Sequence, residues 1–155
     1  MTDQLVSKKV AILARKKAFN KPCRWVHYMQ EEQEVPSKID SEEIFNSDIE
    51  KKIVATPTQT SLSTWIRKMR GVHIEIGRSA SGYYWDMCMS DSGTNLGGSG
   101  ITGPNDSGQW DEYEDALEDA LELQLSMDLP ENFNSIKHWS NYAHFAQKKR
   151  KKNNK

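Results

Sequence analysis

The segment from residue 72 to residue 89 reads VHIEIGRSASGYYWDMCM, and it decides the fold of the chain. Apolar residues alternate with polar or small ones from Val72 to Gly77, which is the period of a strand with one buried face. Arg78 to Gly82 is rich in turn-forming residues, and a second alternating run follows from Tyr83 to Met89. The segment therefore predicts an antiparallel β-hairpin.

Helical periodicity flanks this hairpin on both sides. The helix before it has an inner face made of Leu62, Trp65, Ile66 and Met69. Thr60 or Ser61 can cap this helix, and Gly71 lies where a left-handed residue commonly closes one. After the hairpin, Glu112 to Met127 predicts the clearest helix of the chain, with Asp111 as its cap. Its acidic outer face fits a solvated exterior better than a docking surface for a basic partner.

The N-terminal part predicts a helix, a strand and a connector. Ser7 to Phe19 has helical spacing with Ser7 as N-cap, and Asn20 with Pro22 would stop the helix. Cys23 to Met29 is rich in Trp, Val and Tyr, which favour strands. Residues 31–56 are acidic and lack periodicity, so we expect an irregular connector there.

These elements predict an α+β fold, in which a small antiparallel sheet packs against two or three helices. The sheet would consist of the hairpin and one or two further strands, one of them around Ile101 in the Gly/Ser/Asn-rich loop 91–108. Residues 1–130 would form a single domain, followed by a helical extension over 131–147 and a basic tail over 148–155.

The composition limits the classes of protein to which this chain can belong. The 155 residues are 36% hydrophobic and 28% charged, which is enough apolar material for one core. No stretch approaches the ~20 apolar residues of a membrane span, and the N-terminus lacks a secretory signal. Cys23 and Cys88 have no CxxC or Cys/His spacing, so we expect free buried thiols rather than a disulfide. A cytoplasmic location without a membrane partner is therefore expected.

Charge is distributed unevenly along the chain. Six cations lie in the last eight residues, namely Lys148, Lys149, Arg150, Lys151, Lys152 and Lys155. Without them the net charge of −1 becomes −7. A cationic tail predicts sequence-independent, salt-sensitive association with nucleic acid, assisted by the basic first helix. The alternative is a disordered, solubilising end.

The sequence contains few motifs that indicate catalysis, metal binding or ligand binding. Gly98 to Gly103 matches GxGxxG, but residues 104–108 separate it from the next helix, so a flexible loop is expected rather than a dinucleotide site. A small-ligand site under this loop is a weaker hypothesis, with Trp85, Gly98, Gly100 and Trp110 as its residues. The histidines lie on separate elements, and no nucleophile motif is present. We therefore predict no catalytic residue, no metal ligand and no cofactor.

Short motifs spread over residues 7–127 carry a resemblance to a known family. They include Pro57-Thr58-Gln59-Thr60-Ser61-Leu62, Trp65-Ile66-Arg67, Gly103-Pro104-Asn105-Asp106 and Tyr113-Glu114-Asp115-Ala116-Leu117. In these motifs the chain resembles uncharacterised proteins from Bacteroidetes phages and prophages. The resemblance implies a phage or prophage origin, and with it the cytoplasm of a bacterial host. It carries over no activity and no site residue.

Three functions follow as hypotheses. The leading one is a non-enzymatic, phage-type accessory protein that binds a host or phage macromolecule, which we expect to be a protein. Interference with a host defence or regulatory system is one form that this function could take. The second is nucleic-acid association through the tail. The third is small-ligand binding by the loop 91–108.

Overall fold

The structure is a computed structural model, and it describes residues 3–30, 32, 35–39, 43–49 and 51–127. The chain divides into two compact units, residues 1–62 and residues 63–155. Each unit contains one three-stranded antiparallel sheet, and the described residues include three α-helices. The architecture is α+β, as the sequence predicted, although the strands form two sheets rather than one. The boundary falls inside a helix, and a single domain over residues 1–130 stays a prediction.

Unit 1 combines one helix with a small sheet. Its elements are α1 (Lys8–Lys16), β1 (Trp25–Tyr28), β2 (Ser37–Lys38), a 3-10 turn (Asn46–Asp48) and β3 (Ile53–Thr56). The strand order is β2-β1-β3, and α1 lies against β3. The buried face of α1 consists of Val10, Ala11 and Ala14. The helix and the strand predicted for residues 7–29 are thus confirmed, with shorter bounds.

The ends of α1 are set by local hydrogen bonds. The Ser7 hydroxyl accepts from the Val10 amide at 3.2 Å, as predicted for an N-cap. At the other end, the Phe19 amide donates to the Ala14 carbonyl at 2.9 Å and Ala18 has a φ of 66°. This is the left-handed closure that usually uses glycine. The helix therefore ends before Asn20, which was predicted to stop it.

The irregular connector predicted over residues 31–56 is wrong at its C-terminal end, because β3 lies there. Val54 and Ala55 are both buried, so this strand shows no alternation of apolar and polar residues. It pairs with β1 from Tyr28 opposite Ile53 to Trp25 opposite Thr56. The prediction missed it because four residues without alternation show no strand periodicity.

Unit 2 contains the predicted hairpin and the predicted long helix. Helix α2 (Gln59–Arg70) crosses the boundary of the units and leads into β4 (Val72–Ser79), β5 (Gly82–Met89), β6 (Asn95–Gly98) and α3 (Tyr113–Ser126). The strand order is β4-β5-β6, and α3 packs on β4 and β5. Ser79 pairs with Gly82, so only two residues form the turn, where five were predicted.

Helix α2 corrects two details of the prediction. Its N-terminal amides are capped by the Thr58 hydroxyl, which accepts from the Ser61 amide at 3.2 Å, and not by Thr60 or Ser61. Met69 is 67% exposed and does not belong to the inner face. Gly71 has a φ of 69° and closes the helix as predicted.

The third strand and the cap of α3 also differ from the prediction. Strand β6 lies at Asn95–Gly98, whereas Ile101, where a strand was expected, is 75% exposed. Leu96 supplies the buried apolar side chain that anchors the strand on β5. Helix α3 begins after Glu112 without a side-chain cap, and the predicted cap, Asp111, lies one residue before this position and accepts from the Asn105 side-chain amide.

A buried cation closes the C-terminal end of α3. The Arg70 guanidinium donates to the Gln124 side-chain oxygen at 2.6 Å and to the main-chain oxygens of Gln124 and Met127 at 3.1 and 2.8 Å. A positive charge on the last carbonyls of a helix is favourable, because they form the negative end of its dipole. This arrangement ties the end of α2 to the end of α3 within unit 2.

The remaining predictions concern thiols, membranes and the C-terminus. Cys23 and Cys88 are free thiols, as predicted, with Cys23 buried and Cys88 half-buried. In the part of the chain that the structure describes, no helix has the length and apolarity needed to span a bilayer. The extension 131–147 and the tail 148–155 lie outside the described residues.

Candidate interaction surface at the hairpin tip

The glycine-rich loop is held against the hairpin by main-chain and side-chain hydrogen bonds. The Ser99 amide donates to the Trp85 carbonyl at 2.8 Å, and the Ser99 hydroxyl accepts from the Trp85 amide at 3.1 Å. Further along, Tyr83 and Trp110 exchange two main-chain hydrogen bonds of 2.7 and 3.1 Å. The loop is therefore hydrogen-bonded to the hairpin as an extension of the sheet, and its flexibility stays a prediction.

The four residues predicted for a ligand site lie in different environments. Trp85 is 1% exposed, and its indole nitrogen donates to the Asp119 carboxylate at 2.9 Å. Trp110 is 7% exposed. Gly98 faces the Asp86 carboxylate so closely that a Cβ atom would lie 2.2 Å from it, whereas Gly100 borders open space. Ligand binding by these residues stays a prediction, and the burial of both indoles does not support it.

Asn105 locks the loop onto the turn of the hairpin. Its side-chain oxygen accepts from the amides of Ser107 and Gln109 at 3.0 and 2.9 Å. Its side-chain nitrogen donates to the Ser81 carbonyl at 3.0 Å and to the Asp111 carboxylate at 3.1 Å. All four hydrogen-bonding positions of the amide are thus used. The sequence did not predict this role of Asn105, which is to fix this end of the unit.

Beside this platform lies a group of three side chains that the sequence did not single out. The Arg78 guanidinium carbon lies 4.8 Å from the centre of the Tyr83 ring. The Tyr83 and Tyr113 rings meet edge to face, with centres 6.0 Å apart and an interplanar angle of 87°. Tyr113 is 39% exposed. We call Arg78, Tyr83 and Tyr113 the hairpin-tip surface.

One contact of this surface could have been derived from the sequence. Arg78 pairs with Tyr83 in the β4–β5 register, because the turn contains two residues. Cross-strand partners share a face of the sheet, so a correct turn length would have placed the guanidinium by the ring. Tyr113 comes from α3, and no local pattern predicts its contact with Tyr83.

The surroundings of the hairpin-tip surface are strongly anionic. Residues 71–127 contain eleven carboxylates and a single Lys or Arg, which is Arg78. Asp111, Glu112 and Asp115 are exposed at the start of α3, next to Tyr113 in sequence. Carboxylates in the first turn of a helix are stabilised by its dipole, so their negative charge is favourable there even without a cationic partner.

Two carboxylates face each other on the hairpin. Glu75 pairs with Asp86 in the β4–β5 register. Burial raises the pKa of Asp86 above its usual value, and the negative charge of Glu75 raises it further. Burial raises the pKa of the neighbouring Cys88 thiol, and the negative charges of the same two carboxylates raise it further. Cys88 is therefore a poor thiolate nucleophile at neutral pH.

The other candidate groups have structural surroundings. Burial, with a smaller effect of Glu43, raises the pKa of the Cys23 thiol to about 11. The His27 ring is buried and lies 2.7 Å from the Thr56 hydroxyl through Nδ1. Among the described residues, no three His, Cys, Asp or Glu side chains are arranged to hold a metal ion. His138 and His144 lie outside those residues.

Comparison with known proteins gave no match: neither a protein-family model, nor a curated protein, nor a solved structure is similar to this chain.

Proposed function

We propose that this chain is a binding protein that recognises another protein through the hairpin-tip surface. The observation that carries the proposal is the exposed arginine–tyrosine group held on an ordered platform. In this view the chain is an accessory protein, and its resemblance to phage proteins makes a host or phage protein the expected partner. Cytoplasmic action is part of the same proposal.

The chemistry of the three side chains fits protein recognition. Tyrosine and arginine are enriched among the residues that dominate binding energy at protein interfaces. A tyrosine offers a large contact area and loses little conformational freedom, because it has only two side-chain torsions. The edge-to-face contact of Tyr113 with Tyr83 restricts it before any partner arrives. Such preorganisation lowers the entropic cost of association.

The charge around the surface narrows the class of partner. Asp111, Glu112 and Asp115 would repel a nucleic acid or an acidic protein. A partner with lysine or arginine side chains would instead be steered toward the surface and could place a cation on the exposed face of Tyr113. We therefore expect a protein partner with a cationic contact region.

Substitution of Tyr113 tests the proposal, with Met69 as the matched control. Tyr113→Ala removes the aromatic ring from the hairpin-tip surface, whereas Met69→Ala shortens another exposed apolar side chain, on α2. The full chain and both variants would be used to capture proteins from host lysate, with recovery measured by quantitative mass spectrometry. We expect one stoichiometric protein that is recovered by the wild type and by Met69→Ala but lost by Tyr113→Ala. Equal recovery by both variants, or no stoichiometric protein at all, would contradict the proposal.

A further inference from the structure

We infer that the protein partner binds as an extended strand, which pairs antiparallel with the free edge of β4 and places a lysine or arginine opposite Glu75. The inference rests on the proposed function and deepens it, because it states how the same cationic partner is held. We call the main chain of Ile74, Ile76 and Arg78, with the Glu75 side chain, the β4 edge. Arg78 also belongs to the hairpin-tip surface, so a strand that pairs with β4 reaches that surface at one end.

The pairing of the sheet shows which main-chain groups of β4 face outward. Strand β4 is an outer strand, because the strand order is β4-β5-β6. Tyr83 of β5 exchanges two main-chain hydrogen bonds with Trp110, so its amide and carbonyl point away from β4. Opposite residues of an antiparallel pair alternate between hydrogen-bonded and non-hydrogen-bonded positions, and Arg78 lies opposite Tyr83. The amides and carbonyls of Arg78, Ile76 and Ile74 therefore point to the free edge.

This edge lacks hydrogen-bond partners and the usual forms of protection. Among the residues that the structure describes, none bonds to the outward amides and carbonyls of Ile74, Ile76 and Arg78. Proteins commonly protect an outer strand by making it short or by placing a lysine, a proline or a β-bulge in it. Strand β4 has eight residues, contains neither lysine nor proline, and pairs with β5 without a shift in register. It therefore has the unpaired donors and acceptors that an incoming strand recognises.

The side chains on one face of the edge favour apolar residues in the incoming strand. Ile74 is half-buried and lies opposite Met87, which is buried. Ile76 is also half-buried and lies opposite the buried Trp85. Because alternate residues of a strand share a face, the incoming residues opposite Ile74 and Ile76 would extend this apolar layer.

The other face of the edge favours a cation between these two apolar residues. Glu75 is exposed and lies opposite Asp86, so two carboxylates are neighbours across the ladder. Burial raises the pKa of Asp86, and the charge of Glu75 raises it further. Within the described residues, neither carboxylate belongs to an ion pair. A lysine or arginine opposite Glu75 would supply the opposite charge, as expected of a partner with a cationic contact region.

A synthetic peptide with the sequence Val-Thr-Val-Lys-Val-Thr-Val is the probe for this pairing. It is titrated into the isotopically labelled full chain, and the main-chain amide signals are followed by NMR. With the peptide lysine opposite Glu75, the two neighbouring valines lie opposite Ile74 and Ile76. We expect the largest shifts at the amides of Ile74, Ile76 and Arg78, which gain hydrogen bonds. The amides between them already bond to β5 and should shift less.

Methylation of the peptide amides separates main-chain pairing from attraction by charge alone. N-methylation of the two valines next to the lysine removes donors that face β4. It should weaken binding about 5- to 150-fold, from the loss of two hydrogen bonds. The same modification of the two threonines, whose amides face away from β4, should leave the affinity unchanged.

Substitutions of Glu75 test the charge. Glu75→Gln should weaken binding of the peptide about 1.4- to 5-fold, which corresponds to one cross-strand charge pair. Glu32→Gln is the matched control, because it removes the same charge from an exposed glutamate on unit 1, and it should have no effect. Glu75→Lys should reverse the preference, so that a peptide with glutamate in place of lysine binds better than the original.

Four results would overturn the inference: equal weakening by both N-methylations, a Glu75→Lys variant that still prefers the lysine peptide, and two forms of protection from hydrogen exchange. Amides of Ile74 and Ile76 that are protected in the free, dilute protein would mean that another segment of this chain covers the edge. Protection that appears only as the protein is concentrated would mean that a second copy covers it.

Failure of the inference is distinguishable from failure of the proposed function. A host protein that is lost by Tyr113→Ala but is not displaced by the peptide would retain the proposed function and overturn the inference. Peptide shifts centred on Ile74 and Ile76, without any captured host protein, would support the β4 edge and contradict the proposed function.

Discussion

Replacing Asp86 by asparagine should stabilise the protein at neutral pH. Asp86 lies opposite Glu75 in the β4–β5 ladder, and the side chain also faces Gly98 on β6. Asparagine keeps the shape of the side chain and removes its charge. Burial destabilises the ionised Asp86 carboxylate, because it loses hydration, and the negative charge of Glu75 destabilises it further. Like charges directly opposite each other on neighbouring strands destabilise a sheet by about 0.2–1 kcal/mol. Glu75 is exposed and Asp86 is only half-buried, so solvent screens both effects, and we expect a gain of less than about 1 kcal/mol.

The pH dependence of the gain follows from the direction of the pKa change. The pKa of Asp86 is raised in the folded protein, so its ionised form is less stable there than in the unfolded chain. The destabilisation is present above the folded pKa and is lost as the pH falls toward the unfolded value of about 3.9. The gain from Asp86→Asn should accordingly be full at pH 7 and absent near pH 3.

Urea unfolding at pH 7, 5 and 3 measures this effect, with tryptophan fluorescence as the signal. Glu75→Gln should give a smaller gain, because it removes the opposing charge but not the burial of Asp86. The double variant should gain less than the sum of the two single variants, and the difference is the coupling between the charges. Asp106→Asn, at an exposed carboxylate, is the control and should change little. A destabilised Asp86→Asn at pH 7, or a gain that persists at pH 3, would refute the reasoning.

Three further predictions concern strain and thiol reactivity. Ala18→Gly should raise the melting temperature by several degrees, because Ala18 occupies a left-handed conformation that costs a non-glycine residue about 1 kcal/mol. An unchanged melting temperature would contradict this estimate of the strain. Gly103→Ala should destabilise more than Gly100→Ala in urea unfolding, because its Cβ would lie 2.4 Å from the Gln109 main chain whereas Gly100 borders open space. With iodoacetamide at pH 8, Cys23 should react far more slowly than the same thiol in urea, since its pKa is about 11; equal rates would contradict its burial.

The elements that the sequence predicted correctly are those in which apolar residues recur at the positions that the fold buries. The second strand of the hairpin buries Trp85 and Met87 at alternate positions, and α3 buries one broad face, so the periodicity of both elements is visible. Strand β3 was missed because Val54 and Ala55 are both buried, which leaves no alternation in four residues. Strand β6 was placed too late, because Ile101 is the more conspicuous apolar residue of the loop although Leu96 is the buried one.

The candidate site was less accessible to sequence reasoning than the fold. Tryptophans beside a glycine-rich loop suggested a ligand site, but large aromatic residues are more often part of a core, and Trp85 and Trp110 are buried. The contact between Tyr83 and Tyr113 joins a strand to a helix thirty residues later in the chain, and nothing local specifies it. Asn105 likewise acquires its role only when the loop folds back on Ser81.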